Sequence, residues 1–416
     1  MNIELLHGDC LEIMPTLDAD SVDSIVTDPP YGLSFMGKDW DHGVPGEHFW
    51  REALRVAKPG AHLLAFGGTR TFHRLTVAIE DAGWEIRDCV MWVYGSGFPK
   101  SLDVSKAIDK ASGVEREKVP ATGGLHKNRN MNDDGWSKIG EGEPTMDSTT
   151  PATDAARQWQ GWGTALKPAW EPIIVARKPL IGTVAENVQK YGTGAINVDG
   201  CRVDASEGRP LIESKAESSL HAFGDGLNGS RCAGITTQGR WPANLIHDGS
   251  DEVVRLFPSP HGAGFKQSGG NIPNGDTSMF GIGKVTASQI RHGDTGNAAR
   301  FFYCAKASRS DRNEGCEELE EHEPTSGRRE DRRGLEVSNA INPKRNHHPT
   351  VKPTALMQYL CRLVTPPSGI ILDPFIGSGS TGKAALKEGF RFIGIEQNAE
   401  YIEIARARTA QMGMAL

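Results

Sequence analysis

The sequence predicts an α/β fold, in which helices cover both faces of a mostly parallel β-sheet. Apolar runs of strand length alternate with stretches of helical length in the first 94 residues and again after residue 346. Two of these runs end in an acidic residue followed by proline, at Asp28-Pro29 and at Asp373-Pro374. A chain of 416 residues is also long enough to bury a large core and to form two or more lobes.

Each element of the N-terminal half follows from a local pattern. Pro59-Gly60 predicts the end of a helix, and Gly67-Gly68 predicts the end of the buried strand that comes next. In chain order, the predicted elements are a strand over 3–6, a helix over 10–17, a strand over 24–27, a helix over 47–57, a strand over 61–66, a helix over 69–82, and strands over 84–94 and 171–176.

The C-terminal elements repeat the alternation. They are a helix over 354–364, a strand over 370–372, a helix over 383–388 and a strand over 391–396. The predicted sheet therefore has seven strands. In an open sheet of this kind, the binding crevice lies at the carboxyl ends of the strands, where the strand order reverses.

Composition and charge limit the function classes. No apolar stretch approaches the ~20 residues that span a bilayer, and residues 1–10 lack a secretory pattern, so we expect a soluble, cytoplasmic protein without membrane partners. The seven cysteines include no Cys-x-x-Cys pair, which indicates neither a disulfide framework nor a zinc site. Because the net charge is −7, any nucleic-acid surface must be local.

Asp28-Pro29-Pro30-Tyr31 is the most informative motif in the chain. It closes the apolar run of residues 22–26 with a carboxylate, two rigid prolines and an aromatic ring. The carboxylate and a carbonyl held by proline can accept the two hydrogens of an exocyclic amine, while the tyrosine stacks on the ring that carries the amine. This arrangement suits a flipped-out nucleobase, although Pro-Pro after a strand is also found in simple rigid turns.

A second motif follows the predicted strand 370–372. It reads Asp373-Pro374-Phe375-Ile376-Gly377-Ser378-Gly379, and Glu396 ends the next strand about 20 residues after the first glycine. Glycines allow a ligand to approach the backbone closely, and an acid at this distance is typical of a ribose-binding residue.

Together, the two motifs resemble those of the DNA methyltransferases that methylate amino groups with S-adenosylmethionine. The resemblance covers residues 1–178 and 346–416, and it implies a Rossmann-like fold with one reversed strand near the edge of the sheet. The catalytic motif precedes the cofactor motif, which is similar to the permuted beta group of the family. The run His347-His348-Pro349-Thr350-Val351-Lys352-Pro353 is similar to a signature of the same group.

The resemblance also assigns roles to residues. The catalytic set is Asp28, Pro29, Pro30 and Tyr31, and no metal is required. The set implied to bind the cofactor consists of Asp9, Asp28, Lys352, Asp373, Phe375, Gly377, Gly379, Ser380, Thr381, Glu396 and Gln397. For Asp9, the alternative is a helix N-cap, and it could fill both roles. His7, His347 and His348 lack metal-ligand spacing.

The expected domain organisation has three parts. Residues 1–178 form the catalytic half with a long loop over 113–167, residues 179–345 form an inserted target-recognition lobe, and residues 346–416 form the cofactor half. The expected partner is double-stranded DNA, and a homodimer is left open. A basic cluster could contact phosphates or could pair with the acidic run that precedes it. It consists of Arg328, Arg329, Arg332, Arg333, Lys344 and Arg345.

The implied reaction is methylation of the N6 amine of adenine. Methylation of the N4 amine of cytosine is the alternative, although its enzymes more often carry serine in place of Asp28. Methylation of RNA or of protein glutamine fits less well. From another class, a catalytically silent DNA-binding protein of the same fold is also considered, and the intact motifs argue against it. The biological setting, such as restriction–modification, phage protection or regulation, is left open.

Overall fold

The computed structural model describes residues 3–33, 43–99, 101–119, 148–205, 209–213, 231–258, 297–305, 310–321 and 345–410. Residues 1–95 and 170–416 belong to one compact unit, and residues 96–169 belong to a second. Within the described ranges, no helix is long and apolar enough to cross a membrane.

Strands and helices alternate along the chain. The strands are β1 Ile3–His7, β2 Val22–Thr27, β3 Ala57–Phe66, β4 Glu85–Val93, β5 Lys118–Val119, β6 Ser148–Thr149, β7 Trp170–Arg177, β8 Arg209–Glu213, β9 Arg231–Thr236, β10 Leu245–His247, β11 Tyr303–Cys304, β12 Ile370–Asp373 and β13 Arg391–Glu396. The helices are α1 Cys10–Ile13, α2 Glu47–Val56, α3 Phe72–Asp81, α4 Val104–Ala111, α5 Asp154–Gln158, α6 Val184–Tyr191, α7 Asp251–Val254, α8 Ser310–Asn313, α9 Thr354–Val364, α10 Ser380–Lys387 and α11 Ala399–Ala410.

Nine strands form the main sheet, in the order β1-β13-β12-β2-β3-β7-β4-β10-β11. β7 runs antiparallel to both of its neighbours, and the other pairs are parallel. The N-terminal end of β7 therefore lies at the same edge as the carboxyl ends of β2, β3 and β4. Strands from the two ends of the sequence are adjacent, because β2 pairs with β12 and β1 pairs with β13.

Hydrophobic residues on both faces of the sheet are buried. Val26 and Leu64 pack on one face in a cluster with α9, whereas Ile25 and Leu63 pack on the other face in a cluster with α2 and α3. Such alternation is expected when neighbouring residues of one strand point to opposite faces. A sheet with two covered faces agrees with the buried, mostly parallel strands, and the predicted α/β fold is confirmed.

The sheet has nine strands rather than the predicted seven. The additional strands, β10 and β11, contain three and two residues, which is too short for an apolar pattern to be recognised in the sequence. Both come from region 179–345, which was expected to form a separate lobe. The prediction that Pro59-Gly60 ends a helix before the strand was also inaccurate, because both residues lie inside β3.

The unit of residues 96–169 has its own internal contacts. A buried carboxylate, that of Asp109 on α4, accepts hydrogen bonds from the backbone N–H groups of Ala152 and Thr153 at 3.0 and 3.1 Å. The hydroxyl of Thr153 also donates to it at 2.8 Å. These bonds fix the start of α5 against α4 and order the described parts of the predicted loop 113–167.

Candidate active site

Asp28-Pro29-Pro30-Tyr31 follows the buried strand β2 directly. The next residue, Gly32, has a φ of +67°, which a residue with a side chain rarely adopts. The Thr71 hydroxyl, just before α3, donates a hydrogen bond of 2.6 Å to the backbone oxygen of Tyr31. The turn after β2 is therefore held at Tyr31 by the segment that precedes α3.

The Asp28 carboxylate is bound by two protein donors. Lys352 Nζ lies 2.7 Å from Asp28 Oδ2, and the Tyr31 hydroxyl donates to Asp28 Oδ1 at 2.9 Å. The Asp28 side chain nevertheless keeps 23% of its surface exposed. Because each carboxylate oxygen has two lone pairs, Asp28 can still accept a hydrogen from a bound ligand.

The sequence resemblance placed Lys352 among the cofactor-binding residues, whereas the structure places it at the catalytic motif. Its ammonium contacts Asp28, lies 3.2 Å from the Tyr31 hydroxyl, and is 4.8 Å from the centre of the Phe66 ring. A short loop before α9 carries the lysine to this position. Its role in cofactor binding stays a prediction.

Glu171 was not predicted as a site residue. It is the second residue of β7, and the reversed direction of this strand brings it to the edge where β2 ends. The Tyr31 hydroxyl, whose single hydrogen is shared between Asp28 and Glu171, lies 3.0 Å from Glu171 Oε2, and Lys352 Nζ lies 3.3 Å from the same oxygen. The sequence shows an acid at the start of a strand, but the strand's direction cannot be read from it.

Burial and charge perturb the ionisable groups of this cluster. Although burial acts to lower the pKa of Lys352, the carboxylates of Asp28 and Glu171 raise it above the usual value. Burial and the same two carboxylates raise the pKa of Tyr31, and burial with Glu171 raises that of Tyr94 to about 12. At neutral pH the lysine is therefore charged and both phenols are neutral.

Asp373, at the end of β12, is almost completely buried. Its Oδ1 accepts a hydrogen bond of 2.6 Å from the Thr27 hydroxyl, and its Oδ2 accepts one of 2.6 Å from the Thr381 hydroxyl. The backbone N–H of Phe375 donates to Oδ1 at 3.1 Å. Asp373 therefore connects β2, the loop of residues 374–379 (the glycine loop) and α10.

The glycine loop binds Glu396. The backbone N–H of Gly377 donates to Glu396 Oε2 at 2.9 Å, and that of Asn398 donates to Oε1 at 2.8 Å. Gly377 has a φ of +53°, and a Cβ atom on it would lie 2.9 Å from the ring of His348. Burial raises the pKa of Glu396, although the two N–H groups act to lower it.

His348 lies next to both motifs. Its ring lies against Gly377. The negative charge of Asp28 acts to raise the pKa of His348, and the positive charge of Lys352 acts to lower it. Burial lowers the pKa of His348 to about 4, so that the ring is neutral at pH 7. The structure thus brings the Asp28 motif and the glycine loop to one edge of the sheet.

Arg408 of α11 supports the glycine loop from behind. Its guanidinium is buried and donates to the Ser378 backbone oxygen at 2.5 Å and to the hydroxyls of Ser378 and Ser380 at 3.0 and 3.2 Å. It also donates to the backbone oxygen of Asp311 at 2.7 Å. No local sequence pattern predicts this role, because a basic residue near a helix end usually faces solvent.

The remaining predicted residues lie around this edge. Asp9 is the N-cap of α1 and accepts a hydrogen bond of 2.8 Å from Leu11 N–H, which confirms the capping alternative. Phe375 packs near Phe49, with ring centres 5.9 Å apart. The backbone oxygen of Gln397 lies 3.2 Å from His7 Nε2. Of the predicted basic cluster, only Arg345 falls within the described residues.

Comparison with known proteins identifies the family. The family model for N6/N4 methyltransferases, described as DNA methylase, matches residues 22–407. The chain is 47% identical to YubD of Escherichia coli (strain K12) over 70 residues, which are 17% of this chain and 31% of that protein. It is 49% identical to the type II methyltransferase M2.DpnII of Streptococcus pneumoniae over 61 residues, which are 15% of this chain and 23% of that protein.

The matched segments therefore span less than a third of these relatives. The solved structure of the PvuII DNA methyltransferase, which is cytosine-N4-specific, superposes with a TM-score of 0.42 at 12% identity and covers 99% of this chain and 90% of that one. The family match, in contrast, extends over most of the sequence and includes both motifs. This chain belongs to the N6/N4 family of DNA methylases.

Proposed function

We propose that this protein transfers a methyl group from S-adenosylmethionine to the exocyclic amine of a base flipped out of double-stranded DNA. The main support is the partly exposed Asp28 carboxylate, which ends a strand directly beside β12 and its glycine loop. Asp28 and the Pro29 carbonyl would accept the two amine hydrogens. This contact raises the electron density on a nitrogen whose lone pair is otherwise delocalised into the ring.

Tyr31 would stack on the flipped base. Its hydroxyl is anchored to Asp28 and Glu171, which limits rotation of the side chain and fixes the plane of the ring. Pro29 and Pro30 restrict the backbone between the acid and the aromatic ring. The four residues of the motif therefore act as one rigid unit that orients an amine.

Residues at the ends of β12 and β13 fit the cofactor. The partly buried Glu396 carboxylate keeps lone pairs for the two ribose hydroxyls, and the lack of a side chain at Gly377 lets the His348 ring pack against the backbone there. When bound, the cofactor supplies a methyl group made electrophilic by a positively charged sulfonium. We include in this proposed site Asp9, Asp28, Lys352, Asp373, Phe375, Gly377, Gly379, Ser380, Thr381, Glu396 and Gln397. Within this set, Asp28 acts mainly on the base, and Asp373 acts through the loop that it holds.

Adenine N6 is the proposed target. Asp28 in place of serine resembles the adenine-specific members of the family, and a purine offers a larger face for stacking on Tyr31. Cytosine N4 is the alternative, because both amines need the same two acceptors. The order of the motifs along the chain supports the permuted beta group, in which region 179–345 would recognise the target sequence.

The test is nucleoside mass spectrometry after the full chain has been incubated with S-adenosylmethionine and unmethylated duplex DNA. N6-methyladenine is expected, and sequencing of the product would give the recognition site. N4-methylcytosine without N6-methyladenine would overturn the adenine assignment and leave amine methylation intact. Cofactor binding without any DNA methylation would favour a catalytically silent DNA-binding protein.

A further inference from the structure

Glu171 lies in the active-site cluster but belongs to neither motif. We propose that Glu171 is a positioning residue that keeps the Asp28 site negatively charged while Lys352 is bound to it. This inference depends on the proposed amine methylation and adds to it a residue that controls the electrostatics of the reaction. It is based on shared donors, on burial and on the balance of charges around Asp28.

Glu171 and Asp28 share the same two donors. Lys352 Nζ is 2.7 Å from Asp28 Oδ2 and 3.3 Å from Glu171 Oε2. The Tyr31 hydroxyl is 2.9 Å from Asp28 Oδ1 and 3.0 Å from the same Glu171 oxygen. The ammonium and the phenol therefore lie between two carboxylates, and the position of each donor depends on both acids.

The cluster is buried enough for one unit charge to matter. The side chains of Lys352 and Glu171 expose 9% and 20% of their surface. Water screens a charge weakly in such a site, so that charges a few ångströms apart interact strongly. A change of net charge here would change the electrostatic potential at an amine bound to Asp28.

The charges around Lys352 add to minus one. Asp28 and Lys352 cancel each other, and Glu171 supplies the remaining negative charge. Tyr31 and Tyr94 have raised pKa values and stay neutral at pH 7, and His348, whose pKa is lowered to about 4, is neutral as well. Without Glu171, the lysine would leave the catalytic carboxylate with no net charge to offer.

A negative site favours the reaction. Methyl transfer would form a carbon–nitrogen bond with the nitrogen lone pair and break the carbon–sulfur bond, whose electron pair stays on the sulfur of the neutral thioether that leaves. The positive charge moves to the amine nitrogen, whose proton then passes to Asp28 or to water. The surplus negative charge stabilises this nitrogen in the transition state. Lys352 holds Asp28 in position, and Glu171 offsets the electrostatic cost of having a lysine there.

Three variants separate a charge role from a structural one: Glu171→Gln, Lys352→Met and the double variant. The glutamine oxygen can still accept from Tyr31 but carries no charge. We expect Glu171→Gln to lower the single-turnover methylation rate by roughly 10- to 100-fold, the size expected for one nearby charge in a partly buried site. The double variant keeps a net charge of minus one, so Glu171→Gln should slow methylation much less in the Lys352→Met protein than in the wild type, both measured at saturating S-adenosylmethionine.

The inference would be overturned if Glu171→Gln methylated at the wild-type rate, or if Glu171→Gln slowed the Lys352→Met protein by the same factor as it slows the wild type. Glu85→Gln is the matched control. Glu85 is also a partly exposed acid on the β4–β7 pair, where it binds Arg177 at 2.6 Å, but it lies at the opposite edge of the sheet. Its substitution should leave the methylation rate unchanged, and thermal melting would verify that every variant is folded.

A second measurement needs neither cofactor nor DNA. In protein labelled with ¹³C at the lysine ε-carbon, the signal absent from Lys352→Met identifies Lys352, and its pH titration reports the ammonium. Glu171→Gln should lower the pKa of Lys352, since an opposite charge within this distance is lost. An unchanged titration would overturn the electrostatic role even if the wild-type protein methylated no DNA, so failure of the two proposals can be told apart.

Discussion

Asp28 and Asp373 end two neighbouring parallel strands, yet their carboxylates have different surroundings. Asp373 is almost fully buried. Its carboxylate oxygens accept hydrogen bonds from the hydroxyls of Thr27 and Thr381 and from the backbone N–H of Phe375. Asp28 is partly exposed and keeps lone pairs for a ligand. The comparison shows that an acid after a strand is not by itself a reactive group, because burial and bound donors decide whether it holds the fold or meets a substrate.

The largest expected effect is on Asp28. Asp28→Asn should reduce methyl transfer by roughly 10³-fold, because the neutral amide is a weaker acceptor for the amine and presents N–H donors to it. Affinity for S-adenosylmethionine should stay nearly unchanged, since Asp28 faces the base. Calorimetric titration with the cofactor and single-turnover methylation measure the two effects separately. A large loss of cofactor affinity would show that Asp28 acts mainly on the cofactor and not on the base.

Glu396→Ala should weaken cofactor binding by roughly 10- to 100-fold. Charge-assisted hydrogen bonds to ribose hydroxyls contribute about 1.5 to 3 kcal/mol, and the variant also leaves the N–H groups of Gly377 and Asn398 without their acceptor. The dissociation constant measured by calorimetry tests this. Glu400→Ala, which removes an exposed acid near the same edge, is the control and should bind the cofactor normally. An unchanged constant for Glu396→Ala would place the ribose elsewhere.

The sequence predicted the two motifs and most of the sheet, because both depend on local patterns. Asp28 and Gly377 could be found since turn residues directly follow apolar strands. Glu171 could not, because its position depends on the direction of β7 and on pairing between distant strands. Arg408 could not either, since a buried arginine on α11 has no local signal that separates it from a solvated one.

Strands β10 and β11 show another limit of the sequence pattern. They lie in region 179–345 but extend the main sheet beside β4. Their few residues are defined by pairing with a neighbour and not by their own periodicity. The packing also affects experiments, because deletion of residues 180–344 would remove two strands from the sheet along with any recognition surface.

Asp373 should make stability depend on pH in a direction unusual for an acid. Burial raises the pKa of Asp373 from 3.8 to about 7, although Thr27 and Thr381 act to lower it. Since the folded state then holds its proton more tightly than the unfolded state, the stabilisation is full below pH 3.8 and is lost as the pH rises through about 7.

The side chain in Asp373→Asn is neutral at every pH, so this variant should not lose stability as the pH rises through about 7. As the pH rises, the free energy of unfolding of the variant should increase relative to that of the wild type. The total increase is about 1.4 kcal/mol for each pH unit between the unfolded and folded pKa values of Asp373. Urea unfolding of both proteins from pH 4 to pH 8 gives the difference directly. Parallel pH profiles would show that Asp373 remains ionised, and the contrast with Asp28 would then depend on hydrogen bonds alone.

The smallest expected effect is on stability, at two glycines whose backbones both have positive φ angles. Gly377 and Gly389 have φ values of +53° and +81°, so alanine at either position should cost about 1 kcal/mol of stability. Only at Gly377 would the new Cβ meet the His348 ring, at 2.9 Å, whereas nothing lies within 4 Å at Gly389. Gly377→Ala should therefore be the less stable variant in urea unfolding and the only one that loses cofactor affinity. Equal losses of stability and equal cofactor affinity in the two variants would show that the loop beside His348 adjusts freely, and that the glycine is needed for its backbone conformation and not for space next to the histidine.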